Sequence, residues 1–180
     1  MFTKMMRTLP CLMLVMLSVS AWGQNYWSIP EVSASCGPHD GTFDVHLESG
    51  VSSIKQAAKD EALVYVIQDI PKVLHVLSAV TTRVGADGHW VGANESRSHF
   101  YFALKPGVHH VCVSGQWSKF TSLNSIALKR LVVSAGGVYY LRVRFLSRVN
   151  GGIFLGLSTV DEDEGRFLVD TSSHAISHPK

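Results

Sequence analysis

The sequence predicts an all-β fold, an antiparallel β-sandwich of about eight or nine short strands with one short C-terminal helix. Three observations carry that expectation. Apolar and polar residues alternate at period two along several short segments, as in strands buried on one face. Turn-forming pairs such as Asp87-Gly88, Pro106-Gly107 and Asn150-Gly151 punctuate those segments, each supplying the dihedrals a tight bend needs. No repeat of roughly 20–50 residues and no domain-length linker divides the 180 residues, so one domain is expected.

Residues 1–23 read as a signal peptide. Lys4 and Arg7 precede an apolar run from Leu9 to Val19, and Ala21-Trp22-Gly23 puts small residues at the cleavage positions. The run is about half the ~20 residues that a membrane-spanning helix needs. Cleavage after Gly23 is expected, with no membrane span left afterwards; the alternative is an uncleaved signal anchor.

Residues 24–61 form an N-terminal segment with one strand. Gln24 to Pro38 looks irregular. In Thr42 to Glu48, Phe43, Val45 and Leu47 alternate with Asp44, His46 and Glu48, a half-buried strand. Ser49 to Glu61 is polar, with Ala57-Ala58 in it, and reads as a linker or one weak helical turn.

Residues 62–171 hold the sandwich. Ala62 to Ile67 (ALVYVI) is almost continuously apolar and β-prone, hence a central strand. Lys72 to Val80 suits either a strand or a helical turn, and is taken as irregular structure entering a strand at Val80 to Ala86. Val84 to Val113 reads as three short strands bent at Asp87-Gly88 and Pro106-Gly107. Within it, Phe100, Phe102 and Leu104 alternate with His99, Tyr101 and Ala103. Gly115 to Ser125, with Trp117 and Phe120, is a loop or strand edge. Ile126 to Ser134 and Val138 to Ser147 read as a hairpin across Ala135-Gly136-Gly137, and Asn150-Gly151 then turns into Ile153 to Leu157. Asp161 with Glu164 has capping-box spacing for a helix running to about Thr171, with acidic residues at its positive end. Residues 172–180 are polar and expected to be a flexible tail.

Charge and cysteines restrict function. Losing Lys4 and Arg7 takes the 16 basic residues to 14, equal to the 14 Asp and Glu. A near-neutral chain without a basic stripe argues against nucleic-acid partners. Cleavage also removes Cys11, leaving Cys36 and Cys112, which in an oxidising compartment are expected to form one disulfide. On the chain-entropy model it stabilises the fold by roughly 4 kcal/mol.

Candidate chemistry is sparse. Nine His occur; His109 and His110, as strand neighbours, point to opposite faces. His110 and Cys112 share a face as two zinc ligands would, an option the disulfide removes. The acidic run Asp161 to Glu164 fits a helix cap better than a calcium loop. No nucleophile elbow, HExxH, P-loop or dinucleotide fingerprint is present. Asn94-Glu95-Ser96 is a glycosylation sequon. The reading is therefore non-enzymatic, with no catalytic residue, metal or cofactor. Trp90, Tyr101 and the strand row Tyr140, Arg142, Arg144 are the candidate binding surface.

DGHWVG followed by an aromatic strand and LKPGVHHVCV resembles PEGA-type modules, with Asp87, Gly88, Val91, Gly92, Pro106, Gly107, His109 and Val111 at the motif positions. The span from Ala62 to about Asp170 is similar to an uncharacterised bacterial domain family of secreted proteins and lipoproteins. The resemblance implies an extracytoplasmic β-sandwich and lends no chemistry. The chain departs from the lipoprotein members in lacking a lipidation Cys.

The expected role is a non-catalytic module, periplasmic or extracellular, binding an envelope protein or polysaccharide. The alternatives are a small secreted hydrolase and a His-based metal-binding accessory protein.

Overall fold

The computed structural model describes residues 26–50, 54–70, 80–116, 125–147 and 152–180. The signal peptide, Lys72 to Ala79, Trp117, Phe120 and the Asn150-Gly151 turn lie outside them. Ten strands are described: β1 (Phe43–Glu48), β2 (Ala62–Asp69), β3 (Thr82–Ala86), β4 (His89–Asn94), β5 (Ser98–Leu104), β6 (Gly107–Gly115), β7 (Ile126–Val133), β8 (Val138–Ser147), β9 (Ile153–Val160) and β10 (Ser173–Pro179). Helix α1 is Pro30–Ser35 and helix α2 is Glu162–Asp170.

The chain is mostly β, in two sheets. Sheet A runs β1-β10-β5-β2-β8-β9 and sheet B runs β4-β3-β6-β7. Between them lies one apolar core, with Val64, Val66, Phe100, Leu141 and Val143 from sheet A against Val84, Val111, Val113, Leu131 and Val133 from sheet B. Each set follows the alternation visible in its strand, because successive side chains point to opposite faces. β2 is buried along nearly its whole length. Its inner residues meet sheet B, while Leu63, Tyr65 and Ile67 form a second cluster with Tyr140, Leu168 and Val169. α2 thus makes a third layer on the outside of sheet A.

The pairing is not purely antiparallel. β2 pairs β8 in parallel from Leu63↔Val138 to Asp69↔Arg144, and β10 pairs β5 in parallel at Ser173↔Ser98 and His174↔His99. Both follow from chain crossings that local alternation does not reveal.

The stretch from Val84 to Val113 contains four strands. Asp87-Gly88 turns β3 into β4 as expected, with φ of 50° and 81°, both central residues positive as a type I′ turn requires. Pro106-Gly107, however, carries the chain from β5 in sheet A to β6 in sheet B. The expected hairpin from Ile126 to Ser147 is likewise a crossing: β7 pairs β6 while β8 pairs β2 and β9. Alternation fixes the buried face of a strand, and both an arch and a hairpin satisfy it.

Both ends of the described chain are more ordered than expected. The stretch read as irregular contains a 3₁₀ turn at Tyr26–Ser28 and α1, which has Pro at its start where the missing N–H costs no bond. The expected flexible tail is β10. It pairs antiparallel with all of β1, from Phe43↔Pro179 to Glu48↔His174. Its single buried apolar residue, Ala175, left little signal in the sequence. Gln116 then fixes the start of β1, accepting from Phe43 N (2.7 Å) and donating to Phe43 O (3.0 Å).

Candidate functional site

The outer face of sheet A brings together four of the five candidate surface residues. Tyr65 on β2 stands opposite Tyr101 on β5 and Tyr140 on β8, so three phenols meet across adjacent strands. Ring centroids are 5.3 Å apart for Tyr65–Tyr101 and 5.5 Å for the stacked Tyr65–Tyr140 pair, within the attractive range for offset aromatics. His174 continues the tier, stacked 5.8 Å from Tyr101. Lys55 closes over it: its ammonium lies 4.7 Å from the Tyr101 centroid, and its backbone N–H donates to the Tyr65 hydroxyl at 2.8 Å. Burial raises the pKa of Tyr65 and Tyr140 above the ordinary phenol value.

The predicted row on β8 divides into three environments. Tyr140 is only 3 % exposed because α2 lies on it, correcting the expectation of an open face. Arg142 is shared between Asp69 at the end of β2 and Glu164 on α2, so it ties helix to sheet. Arg144 is exposed. The cap that starts α2 forms as expected, with Asp161 Oδ1 accepting from Glu164 N at 2.8 Å.

A groove of about 440 Å³ opens beside this tier, between residues 54–57, the turn before β8, and α2. Ile54, Ala57 and Val138 supply apolar surface, and Lys55, Gln56 and Arg166 supply polar groups. Arg166 is steadied by Glu162 one turn earlier (2.8 Å). The groove's lining mixes polar and apolar side chains, as small-ligand sites do. In the sequence this segment reads as a linker or one weak helical turn, since Ile54 and Ala57 show no period of their own.

Trp90 lies elsewhere, on the outer face of sheet B, where it fastens the N-terminal segment. Its Nε1 donates to Pro38 O at 2.8 Å, and Gly37 and Gly41 pass so close that a Cβ on either would fall 2.4 or 2.6 Å from the indole. Beneath it Arg83, missed in the sequence, is 5 % exposed. Its guanidinium sits 4.6 Å from the Trp90 ring and 5.5 Å from Trp27, a cation–π arrangement, and donates to His39 O, Gly41 O and Ser114 Oγ. Burial lowers its pKa, and Asp40 opposes that. The usable signal was Arg83 two residues before Gly85, on a face opposite buried Val84. The Cys36–Cys112 disulfide is formed, and Gly85 leaves room for it, since a Cβ there would sit 2.9 Å from Cys36 Cα.

Two further expectations meet definite geometry. Asn94 of the sequon is fully buried, with Nδ2 donating to Val66 O at 3.0 Å, so the folded chain offers no glycan acceptor there. Among the described residues no three His, Cys, Asp or Glu are grouped to hold a metal, and Cys112 is committed to the disulfide. No described helix is long and apolar enough to cross a membrane. No family model, curated protein or solved structure matches the chain.

Proposed function

We propose that this chain is an exported, non-catalytic β-sandwich that binds an envelope polysaccharide in the groove beside α2. The composition of that groove carries the reading. Apolar Ile54, Ala57 and Val138 suit the flat faces of sugar rings, while Lys55, Gln56 and Arg166 supply donors for hydroxyls. A near-neutral mature chain suits an uncharged or weakly acidic glycan better than a polyanion. Export is supported by the Lys4/Arg7-to-Gly23 pattern and by the disulfide, a bond that persists in oxidising compartments. The PEGA-like motif residues support an extracytoplasmic setting.

The test is calorimetric titration of the mature chain with purified envelope polysaccharides. Binding is expected to weaken at least about tenfold, some 1.4 kcal/mol, in Lys55→Ala/Arg166→Ala and to persist in Arg144→Ala. Binding that ignores the groove substitutions, or no binding by any fraction, overturns the reading.

A further inference from the structure

We propose that His109 is a pH-operated latch joining the β5–β6 crossing to the tip of the β3–β4 hairpin. Its imidazole lies between two oxygens: Nδ1 is 2.6 Å from Asp87 Oδ2 and Nε2 is 2.7 Å from the Lys105 carbonyl. A carbonyl only accepts, and so does an ionised carboxylate. Both ring nitrogens must therefore carry protons for both bonds to exist, which makes the ring an imidazolium.

Asp87 cannot simply follow the ring away. Its other oxygen accepts from His110 N at 2.9 Å, its own N–H donates to His110 O at 2.9 Å, and its φ of 50° is fixed by the turn. When the ring loses a proton, a lone pair faces an oxygen and one of the two contacts opens. The segment released is Lys105 to Gly107, where the chain passes from one sheet to the other.

Other titratable side chains surround the contact. His110 follows on β6 with its side chain on the opposite face, and His89 touches the Asp87 carbonyl at 3.0 Å. β7 places Lys129 opposite Val111 and Arg130 opposite His110. The Lys105 ammonium is held by Asp60 and Glu61 at 3.1 Å each. Burial opposes the ring's charge, while the hydrogen bonds to Asp87 and the Lys105 carbonyl, with the Asp87 charge, favour it more, leaving the His109 pKa above its ordinary value. A raised folded value means the latch is fully closed below about 6.5 and is lost as pH rises through the folded midpoint.

The experiment is an NMR titration of the mature chain, reading the His109 ring and the hydrogen exchange of the Lys105 and Gly107 amides. The ring is expected to titrate above about 6.5, with both nitrogens protonated below its midpoint. Asp87→Asn should lower that midpoint, and exchange at the two amides should accelerate with pH beyond the intrinsic rate in wild type but not in His109→Gln. A wild-type midpoint at or below 6.5, or the same exchange profile in His109→Gln, overturns the latch. If a variant fails to fold, the wild-type ring titration alone decides.

Discussion

Gly165 of α2 rests directly on the ring of Tyr140: a Cβ at that glycine would lie 2.2 Å from the ring Cγ. The missing side chain sets how close the helix comes to sheet A, and with it the wall of the groove that Arg166 lines. Ala is the better helix former by about 1 kcal/mol, yet Gly165→Ala is expected to destabilise by about 1–3 kcal/mol, because the helix must lift off the sheet. Thermal melting checks this. In a Tyr140→Ala background the same change should become neutral or stabilising.

Breaking the disulfide by Cys36→Ser with Cys112→Ser should lower unfolding stability by roughly 4 kcal/mol at most, read from denaturant midpoints. Both cysteines are buried, at 2 % and 0 % exposure. Mass spectrometry should therefore show the gain of two hydrogens only when reductant is applied together with denaturant.

Much of this was legible in the sequence, in a particular way. The period-two alternation of Phe43 to Leu47 and of Tyr139 to Phe145 placed β1 and β8, and Asp161 with Glu164 placed the start of α2. What alternation could not supply was partnership. Tyr140 falls on the face opposite Leu141 by alternation alone, but that face is covered by a helix whose docking depends on Gly165, far along the chain. Arg83, Trp90, Pro38 and Gly41 form one clamp from segments that nothing local connects. β10 carries too few apolar residues to announce itself, and is a strand because β1 and β5 both offer it hydrogen bonds.

His99 should give an acid-side dependence of opposite sign to His109. Burial, with His174 adding and Asp170 opposing, pushes its pKa down to about 4, and its Nδ1 meets Ser172 Oγ at 2.9 Å. The unfolded chain then binds the proton more readily than the folded one. Stability contributed by the neutral ring is present above about 6.5 and is lost as pH falls toward 4, by about 3 kcal/mol over that window. Acid unfolding followed by circular dichroism should move to lower pH in His99→Gln, whose amide can still reach Ser172.

β7 is an edge strand of sheet B, and Lys129 sits in its core-facing set with Ala127, Leu131 and Val133. An inward-pointing charge on an edge discourages pairing with another chain. Lys129→Val is expected to promote self-association, seen as a concentration-dependent rise in mass by light scattering. Unchanged mass at high concentration would assign Lys129 no such guarding role.

β1 has one neighbour in its sheet, β10, and β10 itself fills the gap between β1 and β5. More than a hundred residues of chain separate the two strands that pair here. Within sheet A the flank bearing Asp44, His46 and Glu48 is therefore completed only by residues 173–179, so the two ends of the described chain depend on each other for their place in the sheet.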